Sequence, residues 1–186
     1  MKRFILTGTP GAGKTSILRG LEARGHDVVD EAATAVIARE QARGVAEPWA
    51  EASFIDKIVA LQCEQRPRLP SGPARIQIYD RSPVCTHALS RYLGYPVSAR
   101  LAAELDRIRR ERVFERRVFF IRNIGFCEPT AARRISFADS LEFERVHEES
   151  YRELGFELVD VPAAALAERV DVVAGLIFRL SALPAR

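Results

Sequence analysis

Residues 4–18 read FILTGTPGAGKTSIL, an apolar run that breaks into glycines and a proline and then resumes with apolar periodicity. The pattern GxxxxGK[ST] is filled by Gly8, Gly13, Lys14 and Thr15, and it is specific when a strand precedes it and a helix follows. The residues before Gly8 have the composition of a buried strand, and those after Gly13 have helical periodicity. The stretch therefore predicts a phosphate-binding loop (P-loop) at the start of an α/β fold.

The residue types of this loop suit a phosphate chain. Glycines allow positive φ and bring bare N–H groups close to an anion, and the N-terminus of the following helix adds partial positive charge. Lys14 supplies a point charge, and the Thr15 hydroxyl is a predicted Mg²⁺ ligand. The predicted nucleotide-binding residues are Gly8, Pro10, Gly11, Ala12, Gly13, Lys14, Thr15 and Ser16.

Composition indicates a compact cytoplasmic enzyme. A chain of 186 residues with 47% hydrophobic residues is long enough for one domain over residues 1–186 with a full core. A net charge of +3 does not indicate nucleic-acid binding, and the apolar stretches are too short to span a bilayer. The three cysteines lack CxxC spacing, which favours reduced thiols in the cytosol. The sequence leaves open whether the chain is a monomer or a homodimer.

Strands and helices alternate along the chain, which predicts a five-stranded parallel sheet with helices on both faces, the three-layer P-loop NTPase fold. The predicted strands are residues 2–7, a short strand within HDVVDEAA, and the stretches ARIQIYDRSP, RVFFIRNI and FELVDVP. Helices are predicted over residues 14–24, 31–43, 83–93 and 98–115, over the segment that begins near Trp49, and over the C-terminal stripe from Leu166 to Ile177.

Charged residues end several of the predicted strands. Asp30 and Glu31 follow the second strand, Asp80 and Arg81 the third, and Arg122 the fourth. Ligands of such sheets bind beyond the carboxyl ends of the strands, so these side chains are expected to face one crevice. Asp80 is the predicted second acidic contact of Mg²⁺.

Four segments together resemble the small bacterial P-loop proteins of the AAA-domain ATPase class and NadR (ribosylnicotinamide kinase) type. They are GTPGAGKTS, VVDEAA, YDRSP and RRISFADSLEFERVHEESYRELGFELVDVP, and the resemblance spans almost the whole chain. It implies a fold related to nucleoside and nucleotide kinases, with ATP and Mg²⁺ as cofactors. The deoxynucleoside kinases carry glutamate where this chain has Asp80, so identical roles do not follow.

The resemblance also implies a small lid at about residues 128–140. The segment EPTAARRISFADS presents Arg133 and Arg134, which would close on the phosphates and exclude water. Together with Lys14 and Mg²⁺ they would neutralise the charge of the transferred group. A solvated helix start is the alternative for these arginines.

The acceptor is expected opposite the P-loop. Glu31 is the first candidate for the general base, or for a hydrogen-bond acceptor that orients the attacking hydroxyl, and Asp80 is the alternative base. Arg81 would bind a polar or anionic group of the acceptor, or pair with Glu31. Trp49 is expected in the core, with stacking on an acceptor ring as the alternative, and the three histidines are assigned to packing or the surface.

Three function classes fit these patterns. The first is an ATP-dependent phosphotransferase that acts on a small-molecule acceptor. The second is a nucleotide-binding switch or NTPase that regulates a partner. The third, a nucleic-acid-dependent ATPase, is disfavoured because the basic run of residues 107–117 carries Glu111 and Glu115 at helical spacing and has no interleaved aromatic side chains.

Overall fold

A computed structural model describes residues 1–65, 76–125 and 135–182. Its strands are β1 (Lys2–Gly8), β2 (Asp27–Val29), β3 (Ile76–Asp80), β4 (Arg117–Ile121) and β5 (Glu157–Val161). Its α-helices are α1 (Lys14–Glu22), α2 (Ala32–Ala42), α3 (Ser53–Gln65), α4 (Pro83–Tyr92), α5 (Ala99–Glu111), α6 (Phe137–Glu153) and α7 (Leu166–Ser181), and a short 3₁₀ turn spans Pro48–Ala50.

The five strands form one parallel sheet in the order β2-β3-β1-β4-β5. The central strand β1 is apolar on both faces because helices cover both. Phe4 and Leu6 pack with α1 and α7 on one face, and Ile5 packs with α3, α4 and α5 on the other. The predicted α/β fold with a five-stranded parallel sheet is confirmed.

Local signals in the sequence set the starts of three helices. Ser82, Ser98 and Ser136 cap α4, α5 and α6 by accepting backbone N–H groups with their hydroxyl oxygens. The predicted helix over residues 98–115 is too long, since α5 ends at Glu111. Arg112 adopts the left-handed conformation there, with φ of 47°, and the Glu115 N–H bonds to the carbonyl of Arg3. The chain has therefore already turned into β4.

No helix within the described ranges is long and apolar enough to cross a membrane. The basic run at the end of α5 forms ion pairs, as predicted. Arg107, for example, pairs with Glu104 and Glu111.

Candidate active site

The P-loop lies between β1 and α1 and needs glycine for steric reasons. Gly8 has φ of 125°, and a Cβ there would lie 2.2 Å from the carbonyl oxygen of Ile121 on β4. Gly13, with φ of 82°, is the N-cap of α1. The loop can therefore pass close to β4 and turn its N–H groups toward the space in front of the helix.

Lys14 is buried at the base of this loop. Its Nζ donates to the carbonyl oxygen of Thr9 at 2.6 Å. Burial, together with the charge of Arg81, lowers the pKa of the Lys14 ammonium to about 8. The side chain is thus a cation at neutral pH that an anionic ligand would stabilise further.

Thr15 and Asp80, the two predicted metal ligands, are in contact. The Thr15 hydroxyl donates to Asp80 Oδ2 at 2.9 Å. Asp80 Oδ1 is buried and has no hydrogen-bond partner among the described residues. Burial raises the pKa of this carboxyl, so a cation beside it would relieve an electrostatic cost. A hydroxyl and a carboxylate with a free oxygen suit Mg²⁺, which binds few protein groups and keeps several waters.

Glu31 and Arg81 form an ion pair across the mouth of the cleft. Arg81 Nε lies 2.5 Å from Glu31 Oε1, and the Thr34 hydroxyl donates to Glu31 Oε2 at 2.7 Å. Burial raises the pKa of Glu31, but the charges of Arg81 and Lys14 outweigh it, and the pKa lies below its usual value. Arg81 was expected either to bind a polar or anionic group of the acceptor or to pair with Glu31, and the structure shows the pairing with Glu31.

Arg81 also has an unusual backbone. Its φ is 71°, a conformation that costs a residue with a side chain about 1–3 kcal/mol and that clusters at functional sites. Burial lowers the pKa of its guanidinium, but the charges of Glu31, Cys85 and Asp80 and the contact with Glu31 together outweigh burial, and the pKa is raised. On the side away from Glu31, Arg81 Nη1 lies 3.1 Å from Nε2 of His147.

These groups line one cavity of about 590 Å³, a size typical of small-molecule sites. One end holds Lys14, Thr15 and Asp80, and the other is apolar and aromatic. The apolar end is lined by Ile37, Trp49, Phe54, Ile58, Leu89, Tyr92, Leu93, Ile135 and Phe143. Trp49 is partly buried against the cluster of α2 and α3, as expected, and it also lines the cavity, so stacking on an acceptor ring stays a prediction.

The other predicted loop residues divide between the cavity and its support. Pro10, Gly11, Gly13 and Ser16 line the cavity. Gly8 instead lies against β4, and the carbonyl of Ala12 accepts a hydrogen bond from Arg169 on α7 at 2.7 Å.

Of the five charged residues that were expected to face one crevice, two do not. Asp30 is exposed and pairs with Arg19. Arg122 pairs with Glu144 and Glu148 of α6 and with Asp160 at the end of β5, because α6 covers the carboxyl end of β4. Neither Asp30 nor Arg122 lines the cavity.

The predicted lid arginines, Arg133 and Arg134, lie outside the described residues. Of the predicted lid, only residues 135–140 are described, and they include the start of α6 at Phe137.

Three residues of the site were not predicted to belong to it. His147 of α6 was expected only to pack or to lie at the surface, but it is buried and contacts Arg81. Arg169 of α7 supports the P-loop. Gln62 of α3 lines the cavity, and its Oε1 accepts from Thr86 at 3.0 Å. Gln62 belongs to α3, which the sequence predicts from its apolar periodicity. That pattern gives no reason to assign a polar residue of the helix to a ligand site.

A family model described as AAA domain matches residues 3–169 of the chain. No curated protein sequence matches it significantly.

Several solved structures are similar. Deoxyadenosine kinase from M. mycoides with dCMP and dCDP is 14% identical, with 96% of this chain and 99% of that chain covered and a TM-score of 0.64. NadR in complex with NAD and AMP-PNP is 15% identical, with a TM-score of 0.68, and the match covers all of this chain and 51% of NadR. Shikimate kinase from Acinetobacter baumannii with shikimate is 15% identical, with 98% and 96% covered and a TM-score of 0.58. These likenesses show a P-loop kinase-like fold.

Proposed function

The chain belongs to the AAA domain family, and from its kinase-like fold and the content of its cleft we propose that it is a Mg²⁺-dependent ATP phosphotransferase acting on a small molecule. The observation that carries this proposal is the single cavity that joins a P-loop to a second, aromatic compartment. A nucleotide switch needs the first compartment but has no use for the second. In the reaction, the acceptor oxygen forms a bond to the γ-phosphorus, the bond to the β-γ bridging oxygen breaks, and ADP leaves.

The nucleotide would lie with its phosphates on the P-loop. Lys14 would leave the Thr9 carbonyl and meet the β- and γ-phosphates, where its charge counts more because the site is buried. Kinases of the same fold have been solved with dATP and, in NadR, with AMP-PNP, which supports a nucleoside triphosphate as the donor.

Magnesium would be held by Thr15 and Asp80. Their contact and the unpartnered Asp80 Oδ1 support this assignment. When bound, the ion would neutralise charge on the phosphates. Within the described ranges, no group of three or more His, Cys, Asp and Glu side chains could hold a metal ion.

Glu31 would orient the acceptor hydroxyl. Its pKa is below the usual value, which makes it a weak base but a good hydrogen-bond acceptor. Phosphoryl transfer passes through a loose transition state in which positioning matters more than base strength. The hydroxyl proton can pass to Glu31 or to the transferred phosphoryl group as the new bond forms. Arg81 would hold Glu31 in place.

The acceptor would be an uncharged alcohol that carries a ring. Lys14 and Arg81 are the only cationic side chains that line the cavity in the part of the chain that the structure describes. Arg81 is already paired with Glu31, so its charge is partly balanced before an acceptor carboxylate or phosphate could bind. Trp49, Phe54, Tyr92 and Phe143 offer flat surfaces for a ring, and the amide of Gln62 can bind a polar edge of it.

Arg133 and Arg134 would add positive charge over the transferred phosphoryl group, as the sequence resemblance implies. Replacing both with alanine would lower kcat more than nucleotide affinity, since the contact would be made mainly in the closed state. An unchanged kcat would place both arginines in solvent.

A panel of matched acceptors tests the proposal. ATP turnover is measured with Mg²⁺ alone, with uncharged nucleosides and pyridine or pyrimidine alcohols, and with the 5′-monophosphates of the same nucleosides. We expect at least one uncharged member to stimulate turnover tenfold or more and its monophosphate to have little effect. Turnover that no acceptor changes would favour the nucleotide switch.

A further inference from the structure

We propose that His147 is a positioning residue of this site: its neutral imidazole accepts a hydrogen bond from Arg81 and so fixes the guanidinium beside Glu31. The effect on catalysis rests on the proposed function, whereas the arrangement itself does not. His147 lies on α6, 66 residues from Arg81 in the sequence, and is fully buried.

The hydrogen bonds of His147 determine its tautomer. Nδ1 lies 2.9 Å from the carbonyl oxygen of Phe143, and a carbonyl can only accept, so Nδ1 carries the hydrogen. Nε2 lies 3.1 Å from Nη1 of Arg81, and a guanidinium can only donate. Nε2 must therefore be unprotonated, and the ring neutral. Burial and the charge of Arg81 lower the pKa of this imidazole well below its usual value, in agreement with the geometry.

Two partners thus orient the guanidinium from different sides. Glu31 faces Nε at 2.5 Å, and His147 faces Nη1 at 3.1 Å. Arg81 also lines the cavity. The guanidinium, held between Glu31 and His147, therefore faces the space where the acceptor hydroxyl or the transferred phosphoryl group would lie.

A neutral hydrogen-bond acceptor, such as the imidazole of His147, suits the position beside Arg81 better than a carboxylate. Asp80 and Glu31 already place two negative groups near Arg81, and the charge of Glu31 helps to raise the pKa of Asp80. A third carboxylate would repel the incoming phosphates and cancel more of the positive charge of Arg81. Histidine orients the guanidinium and leaves its charge available to an anionic transition state.

The left-handed backbone of Arg81 adds an independent reason for a fixed side chain. Its φ of 71° directs the side chain into the cleft at an energetic cost. Such a conformation persists where surrounding contacts determine it, and the contact with His147 is one of them.

Two substitutions separate hydrogen bonding from packing. His147→Gln can place an amide oxygen near the position of Nε2 and accept from Arg81. His147→Leu fills similar space but cannot accept. Both are compared with the wild-type full chain by ¹⁵N NMR of the imidazole and of the arginine side chains, and by binding of AMP-PNP. None of these measurements needs a phosphoryl acceptor, so they do not depend on the proposed reaction.

At pH 7 we expect the wild-type imidazole as the neutral Nδ1–H tautomer. The Nη1–H groups of Arg81, which face His147, should be protected from hydrogen exchange in the wild type and in His147→Gln, and at least tenfold less protected in His147→Leu. AMP-PNP affinity should stay within about twofold in both variants, because the hydrogen bonds of His147 are to Arg81 and Phe143 and not to the P-loop. An Nε2–H tautomer, or equal protection of Arg81 in all three proteins, would overturn the proposal. If His147→Leu does not fold, the tautomer and the Gln variant still decide it.

The catalytic consequence is measured with the uncharged acceptor that gives the highest turnover in the panel above. His147→Gln should keep kcat/KM within about threefold, and His147→Leu should lose tenfold or more. Equal losses in both variants would assign His147 to packing alone. If the wild type transfers no phosphoryl group to any acceptor, the proposed function fails, and the NMR measurements still test the contact between His147 and Arg81.

Discussion

Replacing Asp80 with asparagine separates a metal-binding role from a structural one. Asn keeps the shape of the side chain, and its amide oxygen can still accept the 2.9 Å hydrogen bond from Thr15. The change removes the negative charge and turns the unpartnered Oδ1 into a poor metal ligand. The fold should therefore survive while the predicted Mg²⁺ site does not.

Stability and activity should change in opposite directions. Burial raises the pKa of Asp80, so the ionised form costs the folded protein free energy at neutral pH, and the uncharged amide does not incur that cost. A gain of about 1 kcal/mol would raise Tm by about 2–4 °C in a chain of this size. Turnover should fall by about 10²–10³, the effect of deleting one group that stabilises developing charge, and the Mg²⁺ concentration for half-maximal rate should rise.

The assay is ATP turnover over a series of Mg²⁺ concentrations, together with thermal unfolding without nucleotide. Asp160→Asn is the matched control, because Asp160 also lies at the carboxyl end of a strand but is exposed and faces Arg122. It should leave the Mg²⁺ dependence unchanged. Wild-type Mg²⁺ dependence in Asp80→Asn, or a Tm lowered by several degrees, would show that Asp80 is a structural residue.

Three further predictions follow from single contacts. Nucleotide binding should take up about 0.9 proton at pH 9 and almost none at pH 6.5, because Lys14 has a pKa of about 8 in the free protein and anionic phosphates restore its charge. Calorimetry in two buffers measures this proton uptake. Lys14→Met should abolish it. Glu31→Gln should lower the acceptor-dependent kcat by about 10–10² and leave AMP-PNP affinity unchanged. The control Asp30→Asn should change neither kcat nor affinity. Equal losses of kcat in the two variants would rule out the proposed role of Glu31. Gly8→Ala should unfold the protein or cost more than about 3 kcal/mol, since its Cβ would meet a β4 carbonyl at 2.2 Å; Gly25→Ala, with positive φ but open space, should cost only about 1–2 kcal/mol in denaturant unfolding.

The sequence was sufficient to predict the sheet, because apolar strands and amphipathic helices alternate without ambiguity. It also located the P-loop, whose residues are contiguous and whose steric demands are local. The contact between Thr15 and Asp80 was predictable as well, since the two residues follow neighbouring parallel strands that the fold class places side by side.

The rest of the site depends on how helices pack over the sheet. Arg122 looks like a crevice residue in the sequence, but α6 covers the end of β4 and supplies Glu144 and Glu148 as partners. The same helix brings His147 to Arg81. A histidine on a helical face has no local signal for such a contact, because its partner lies on a distant strand end.

Transfer of labelled phosphate tests the central claim most directly. The chain is incubated with γ-³²P-labelled ATP, Mg²⁺ and the uncharged acceptors, and the products are separated. In the wild type, label should leave ATP and appear on an acceptor hydroxyl, and this transfer should be largely lost in Lys14→Met. Label that appears only as inorganic phosphate, at the same rate with and without acceptors, would contradict it.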